Sequence, residues 1–580
     1  MNKPIFLLRF LLILFFSQVI FANSTLAGGE MEALKLLPVQ DGGRIKPYDT
    51  FARESLQLIH GKQSFQSRPA IEVVTTWFLV PEAWEKKKLF QVSHRGLKEA
   101  LKLNIEESFF DISSFLANDR ISFVFQELQG RLATKEKLDP YFQAVQRLQN
   151  QLGLFMAIKN GQVLRVLPQS PANQIPDVPV TPGTLPSLSA ANAQKAKNDS
   201  WLSISELPPE GAEKFAQISK AFARVLPGIE RQAFPGESST TLEKAVQDFK
   251  SYAFTQNSIY SAAESDIALE VHYNNLNPFL NTWILYLLSA LIMGFAWFSK
   301  NKWAYRGAWF FALAAIGMHT YGFGIRVYLT GRPPVSNMYE SVVWVSWGAV
   351  FFSMIFEAIQ KRFFILLSGT SVAVLCLIVA SQAPAILDSS LQPLEPVLRS
   401  NLWLSIHVLT ITISYSAFFL AFALGDVGLF QFLKGESAQS QRVKEIQQAI
   451  YRAIQIGVVL LATGIIMGGV WADYSWGRFW GWDPKETWAL IALLGYIAIL
   501  HGRLAGWLRE FGFVASAVIS FSLVMMAWYG VNYVLGAGLH SYGFGAGGVQ
   551  YVASFVLLHF IYVGYVAYVV QQRKIIKQAP

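Results

Sequence analysis

Two textures divide the chain. From Leu276 onward, apolar runs long enough to cross a bilayer, about twenty residues each, recur near 278–298, 304–327, 338–358, 363–382, 402–432, 448–470, 488–505, 511–534 and 550–570. They predict nine membrane spans. Residues 28 to about 277 are mixed in polarity and hold no run of spanning length. There Val145, Leu148, Leu152 and Phe155, and again Leu242, Val246, Phe249 and Tyr252, recur at helical spacing. The prediction is a mainly α protein: a polytopic membrane helical bundle of about nine spans, 278–580, behind an N-terminal, mostly helical extracytoplasmic domain, 28–277. Residues 1–27 carry Lys3 and Arg9, an apolar stretch from Phe6 to Phe21 and small residues around Ala22 and Ala27, the layout of a signal peptide or an uncleaved signal anchor. Between Leu167 and Ser200 lie six prolines, Pro168 to Pro186, with no aromatic residue. That segment reads as a flexible connector splitting the soluble domain in two.

Composition agrees with this division. With 580 residues, 52% hydrophobic and 15% charged, the chain is too apolar for an ordinary soluble protein and too long for one domain. Its net charge of +9 does not point to nucleic acid, because the basic residues of the second half sit in short segments between spans. Lys300 and Lys302, Lys361 and Arg362, Lys434 with Arg442 and Lys444, Arg503 with Arg509, and Arg573, Lys574 and Lys577 all follow odd-numbered spans. The positive-inside rule makes that side cytoplasmic. It places 28–277, the loop 383–401, the segment after Trp471 and the Gly-rich stretch 535–549 outside, and predicts a multi-pass protein of the bacterial inner membrane. The single cysteine, Cys376, lies in the run Phe363 to Ala380, so it can build neither an internal disulfide nor a cysteine metal cluster and reads as a buried thiol.

The densest chemistry lies between the sixth and seventh spans. Trp471 to Trp488 reads WADYSWGRFWGWDPKETW, and five of the seventeen tryptophans, Trp471, Trp476, Trp480, Trp482 and Trp488, fall in those eighteen positions. An interfacial anchor needs one or two indoles. Five of them, interleaved with Gly477 and Gly481, suit a flat and mostly apolar ligand, with Arg478 and Lys485 as cations for its acidic groups. Haem is such a molecule; an aromatic belt on a tight turn is the plainer alternative. Asp483, just before Pro484, reads as a helix cap.

Histidines inside a membrane domain are functional hypotheses by default. His407 sits about two turns into its span, and His540 lies in the Gly-rich stretch, both on the side of the tryptophan segment. Two imidazoles can complete the coordination of an iron porphyrin. His501 comes thirteen residues after Trp488, about 20 Å further along the span, which leaves it either a ligand or a side chain reaching the inner interface beside Arg503. His319 and His559 are further candidates within spans. His60, His94 and His272 are scattered singly through the soluble part and read as packing or surface residues. Arg326, Arg332, Asn337, Tyr339 and Glu340 form a polar cluster at the outer ends of the second and third spans, where Arg326 suits either a ligand carboxylate or an ion pair with Glu340.

The pattern Trp471-Ala472, Ser475-Trp476-Gly477, Phe479-Trp480, Trp482-Asp483, Lys485-Glu486-Thr487 resembles the WWD domain of haem-handling proteins in cytochrome c maturation. The flanking sequence, about Gly324 to Tyr568, is most similar to the CcsA (ResC) branch, the system II cytochrome c synthase component. The resemblance implies haem b as the group bound, with His407 and His540 as the external axial ligands to its iron. It also implies His501 as a membrane-embedded iron ligand that receives haem from the cytoplasmic side. Trp471, Trp476, Trp480, Trp482, Arg478 and Lys485 would line the haem seat. Implied partners are apocytochrome c and a ResB/CcsB-like membrane subunit, which would supply the second ligand of the inner site unless His319 or His559 does so. The function implied is presentation of haem, after transfer across or at the membrane, for covalent thioether attachment. A haem exporter or chaperone serving a separate ligase, and a permease for another substrate, are the competing readings. The stretch Gly43 to Ser55, GRIKPYDTFARES, is similar to the start of extracytoplasmic regions in some relatives and has no evident chemistry.

Overall fold

The computed structural model describes residues 28–134, 138–169, 201–226, 240–257, 259–383, 387–392, 401–535 and 548–578. The expected signal at 1–27, most of the proline-rich stretch and His540 lie outside the described residues. The chain divides into two compact units, Met1–Asn274 and Asn275–Pro580.

The first unit is mainly helical but contains strands that the hydrophobic pattern does not reveal. Strands β1 (Pro38–Asp41), β2 (Arg44–Pro47), β3 (Arg165–Pro168) and β4 (Trp201–Ser203) form an antiparallel sheet in the order β2–β1–β3–β4. Runs of three or four residues are too short to display a period of two against a helical background. The main helices are α1 (Tyr48–His60), α2 (Ala70–Leu79), α3 (Pro140–Lys159), α4 (Pro209–Val225), α5 (Leu242–Gln256) and α6 (Glu264–Leu276). The expected stripes on α3 and α5 are buried, from Val145 to Phe155 and from Leu242 to Tyr252. Because β3 and β4 pair across the proline-rich segment, and one apolar core holds residues from both sides of it, that segment does not divide the domain in two. The reason is long-range pairing, which composition does not report.

The stretch Gly43 to Ser55 has a structural role. It supplies β2 and the start of α1, and its charges are locked inward. Arg44 donates two hydrogen bonds to Glu270 of α6, at 2.7 and 2.8 Å, and Thr50 Oγ1 donates to the same carboxylate at 2.7 Å. Fully buried Lys46 pairs with Asp41 at 2.8 Å and Glu54 at 2.7 Å. Such a network is costly to break because each remaining charge would be left in a low-dielectric interior. His60 confirms its packing role: Nδ1 donates to Leu89 O at 3.0 Å while the ring lies 5.0 Å from Phe65 and 4.7 Å from Phe109.

The second unit holds nine helices long and apolar enough to span a membrane among the described residues, as the hydrophobic runs predict. These are α7 (Pro278–Ser299), α8 (Lys302–Thr330), α9 (Met338–Gln360), α10 (Phe364–Gln382), α11 (Asn401–Lys434), α12 (Gln441–Trp476), α13 (Pro484–Leu504), a composite eighth span and α16 (Val549–Gln578). The eighth runs through α14 (Glu510–Ile519), α15 (Phe521–Met525) and a π-helical segment, Met526–Leu535. Cys376 is buried in α10. The core is built on α11 and α12, which pack along most of their lengths, with α13, α14 and α16 around them. Close approach of α11 and α12 depends on small residues, as is usual where no hydrophobic effect drives helices together. A Cβ at Gly464 would lie 2.5 Å from Ile411 Cγ1, and one at Gly468 would lie 3.4 Å from the His407 ring.

Two outcomes follow from this packing. Gly464→Val should cost about 1–3 kcal/mol through overpacking, seen as a lower melting temperature of the detergent-solubilised chain; an unchanged melt would show that the α11–α12 contact tolerates a side chain there. Burial, opposed by the Leu89 carbonyl, holds the His60 pKa below its usual 6.5. The folded state therefore prefers neutral His60, so this stability is present above pH 6.5 and is lost as pH falls through the depressed value. His60→Phe should flatten the acid limb of the stability–pH curve.

Candidate ligand site

Helix α12 continues beyond the apolar run that predicted it, so Trp471 and Trp476 are helical and only 477–483 form a loop. Gly477, at φ 69°, ends α12 in the left-handed region that glycine tolerates. Asp483 then starts α13: its Oδ1 accepts from Lys485 N at 2.9 Å, and Glu486 Oε2 accepts from Asp483 N at 3.2 Å and Gly481 N at 2.8 Å. This capping box confirms Asp483 as a cap and also ties the loop back on the helix. Trp488 lies within α13.

Trp471 is almost fully buried, and its ring stands edge-on to Trp476 with centroids 4.6 Å apart. On the other side it lies nearly parallel to the imidazole of His407, 5.4 Å away at 25°. His407, itself 6% exposed, is carried by α11 and faces the α12 backbone at Gly468. Around this pair is a cavity of about 460 Å³. His407, Trp471, Phe479, Trp480 and Lys485 line one part of it, and Arg332, Met338, Ser341, Trp528 and Asn532 another. A flat ligand with an apolar body fits such walls, since indole and imidazole faces offer stacking surfaces and their edges offer few competing hydrogen bonds.

The expected site residues separate into three groups. His407, Trp471, Trp480 and Lys485 meet at the cavity. Trp476 backs Trp471, and Trp482, with φ 56° and 70% exposed, stands edge-on to Trp480 at 5.8 Å. Neither lines the cavity. Arg478 is engaged elsewhere, over the Trp476 ring at 5.6 Å and 3.5 Å from Glu486, because its own loop folds it against the capping carboxylate. His540 falls outside the described residues.

His501 is on the exposed surface of α13, away from the residues that line the cavity. Its Nδ1 donates to Ile497 O at 2.9 Å, so that bond leaves Nε2 unused. His319 is fully buried, stacked on Phe323 at 5.1 Å, with Tyr286 Oη 3.3 Å from Nδ1. His559 donates from Nδ1 to Phe555 O at 2.7 Å, and its Nε2 lies 3.6 Å from Asp426. Both have packing and hydrogen-bonding roles apart from the cavity.

Arg326 forms the ion pair with Glu340, at 2.8 Å, and Arg332 takes the other carboxylate oxygen at 2.6 Å. Backbone carbonyls of Ser389 and Gln392 accept from Arg326 and Arg332, both at 2.9 Å, which holds the 387–392 segment over the cluster. Sequence reasoning missed Met338, Ser341, Trp528 and Asn532. They approach only because Trp528 Nε1 donates to Ser341 Oγ at 2.8 Å across 187 positions, and because the π-helical turn re-aims this end of the eighth span. An isolated Trp and Asn near the end of an apolar run carry no signal of that meeting.

The fold and this site define a polytopic membrane protein with an aromatic, histidine-bearing cavity at one end of its bundle. Residues 335–540, which span nearly all of the cavity walls, match the family described as Cytochrome C assembly protein. Similar proteins include cytochrome c biogenesis protein CcsA of Synechococcus sp. (strain CC9902), 34% identical over 249 residues, 38% of this chain and 81% of that one. CcsA of Guillardia theta is 35% identical over 246 residues, 38% of this chain and 80% of that one. Protein NrfI of Wolinella succinogenes is 28% identical over 528 residues, 87% of this chain; the chain spans about half of its length, 53%. The chain belongs to the CcsA family of cytochrome c biogenesis proteins.

Glu340 is the only carboxylate that pairs with Arg326 and Arg332 among the described residues. Glu340→Gln removes the carboxylate charge that the two buried guanidinium groups share, and should lower the unfolding free energy by about 3–5 kcal/mol. A melting curve of the purified chain reads this directly, and an unchanged midpoint would show that the cluster is solvated.

Proposed function

We propose that this chain holds haem b as cargo at the cavity beside Trp471 and presents it to apocytochrome c. The observation that carries this reading is the stack of His407 on Trp471 inside a cavity of about 460 Å³ in a member of this family. Once bound, haem supplies two vinyl groups, each of which takes up a thiol: a C–S bond forms, and the thiol hydrogen passes to the neighbouring vinyl carbon.

The chain's own residues do the remaining work. His407, and His540 of the Gly-rich segment, would hold the iron through their imidazole nitrogens. Trp471 fixes the tilt of the His407 ring, while Trp480 and Trp528 exclude water from the cavity walls. Lys485 faces a carboxylate of the cargo. No acid or base is needed at the chain, so orientation is the main contribution: a bimolecular addition becomes effectively intramolecular.

The cavity end of the bundle faces the periplasmic side of the bacterial inner membrane, where the positive-inside rule also places 28–277. His501, with Nε2 on the outside of α13, receives haem nearer the cytoplasmic side. A ResB/CcsB-like subunit supplies the second ligand of that inner site.

The test is the haem content and absorption spectrum of the purified chain. Wild type should show a bis-imidazole spectrum; His407→Ala and His540→Ala should each retain at least about tenfold less haem in that form, the ratio given by a loss of 1.4 kcal/mol. His501→Ala should lower loading while leaving the ligation of whatever haem remains unchanged. A haem-free wild type from haem-replete cells overturns the reading in favour of a permease. Covalent haem on a co-expressed apocytochrome separates presentation for attachment from export to a different ligase.

A further inference from the structure

A buried charged cluster stands at the second wall of the cavity. Arg326, Arg332 and Glu340 are 1%, 6% and 1% exposed, and both guanidinium groups pair with the Glu340 carboxylate. The bonds of Arg332 show which of its edges is left for a ligand. Arg332 Nε donates to Gln392 O, and Nη1 to Glu340, so two faces of the guanidinium are taken. Nη2 has no hydrogen-bond partner among the described residues, and Arg332 lines the cavity. Arg326 is held behind it by Glu340 and by the carbonyls of Ser389 and Ser390.

We propose that Arg332 reads a carboxylate of the planar ligand in this cavity, through the Nη2 edge that Glu340 and Gln392 leave open. The inference rests on the haem-seat reading and adds a specificity element to it: the cavity selects a flat apolar molecule by stacking, and selects its acid form over a neutral ester by Arg332. Lys485, which also lines the cavity, gives a second cation for a second carboxylate. A guanidinium fixed on two sides is a better reader than a free lysine, because little further freedom is lost when the third bond forms. Glu340 sets that orientation and is a positioning residue for Arg332.

The test compares haemin with its dimethyl ester, titrated into the purified full chain and followed by absorbance. The two probes share the ring, the iron and the vinyl groups, so they differ only at the carboxylates. Wild type should bind haemin about tenfold to a hundredfold more tightly than the ester, the range expected for a charge-assisted hydrogen bond. Arg332→Gln should reduce that preference several-fold and leave affinity for the ester within about twofold, whereas Arg332→Lys should keep part of the preference. Equal weakening of both probes by Arg332→Gln would assign the residue a purely structural role and overturn the inference. So would a wild type that binds both alike with an intact bis-imidazole spectrum. That result leaves the haem seat standing, whereas a wild type that binds neither probe removes the seat and the inference together. The wild-type comparison decides the matter even if the glutamine variant does not fold.

Discussion

The approach of α11 to α12 is the contact on which the rest of the membrane unit depends. Helices in a bilayer gain little from hiding apolar surface from one another, so their affinity comes from backbone proximity and dispersion. Gly464 and Gly468 provide that proximity on α12, where any side chain would meet Ile411 or the His407 ring. The consequence reaches the site directly. With the two backbones this close, an imidazole from α11 and an indole from α12 have one shared space, and they fill it by stacking. Packing against Trp471 thereby helps to orient the His407 ring, which serves the requirement that a ligand ring be held still.

The second wall is assembled on another basis. The ends of α8 and α9 are joined by a short turn in which Asn337 caps α9, accepting from Glu340 N at 2.8 Å. Glu340 then faces back to collect both arginines, and the arginines collect the carbonyls of the 387–392 segment. Local capping chemistry thus places a buried charge cluster, and the cluster in turn places a loop. The first unit uses the same device at a different location, where the β1–β2 hairpin and α1 present Arg44 and Thr50 to Glu270. Both networks specify geometry more than they add stability, since paired buried charges roughly repay their own desolvation.

Chemical roles divided sharply among residues that looked equivalent along the chain. Arg478 and Lys485 are both cations of the tryptophan stretch, yet the fold turns Arg478 onto Glu486 and Trp476 and leaves Lys485 at the cavity. Five tryptophans likewise serve different ends: Trp471 and Trp480 line the cavity, Trp476 buttresses, Trp482 is exposed and Trp488 belongs to α13. The capping box explains the sorting, because tying Gly481 and Asp483 to Glu486 sets the direction of every side chain in the loop.

Much was legible in the order of residues alone. Nine apolar runs dictate nine long helices because a bilayer requires every backbone group to be satisfied within its own span. Asp483 before Pro484 dictates a helix start, the buried cysteine follows from its apolar surroundings, and the dense run of indoles contributes Trp471 and Trp480 to the cavity wall. The sequence could not show that β3 and β4 pair across a proline-rich segment, or that Met338, Ser341, Trp528 and Asn532 close the cavity. It also could not show that Arg332, and not Arg326 or Arg478, presents an open guanidinium edge there. Those outcomes rest on contacts between residues 33 to 187 positions apart. Periodicity and capping act over a few residues, whereas a cavity wall is decided by which helices pack side by side, and only the folded chain settles that.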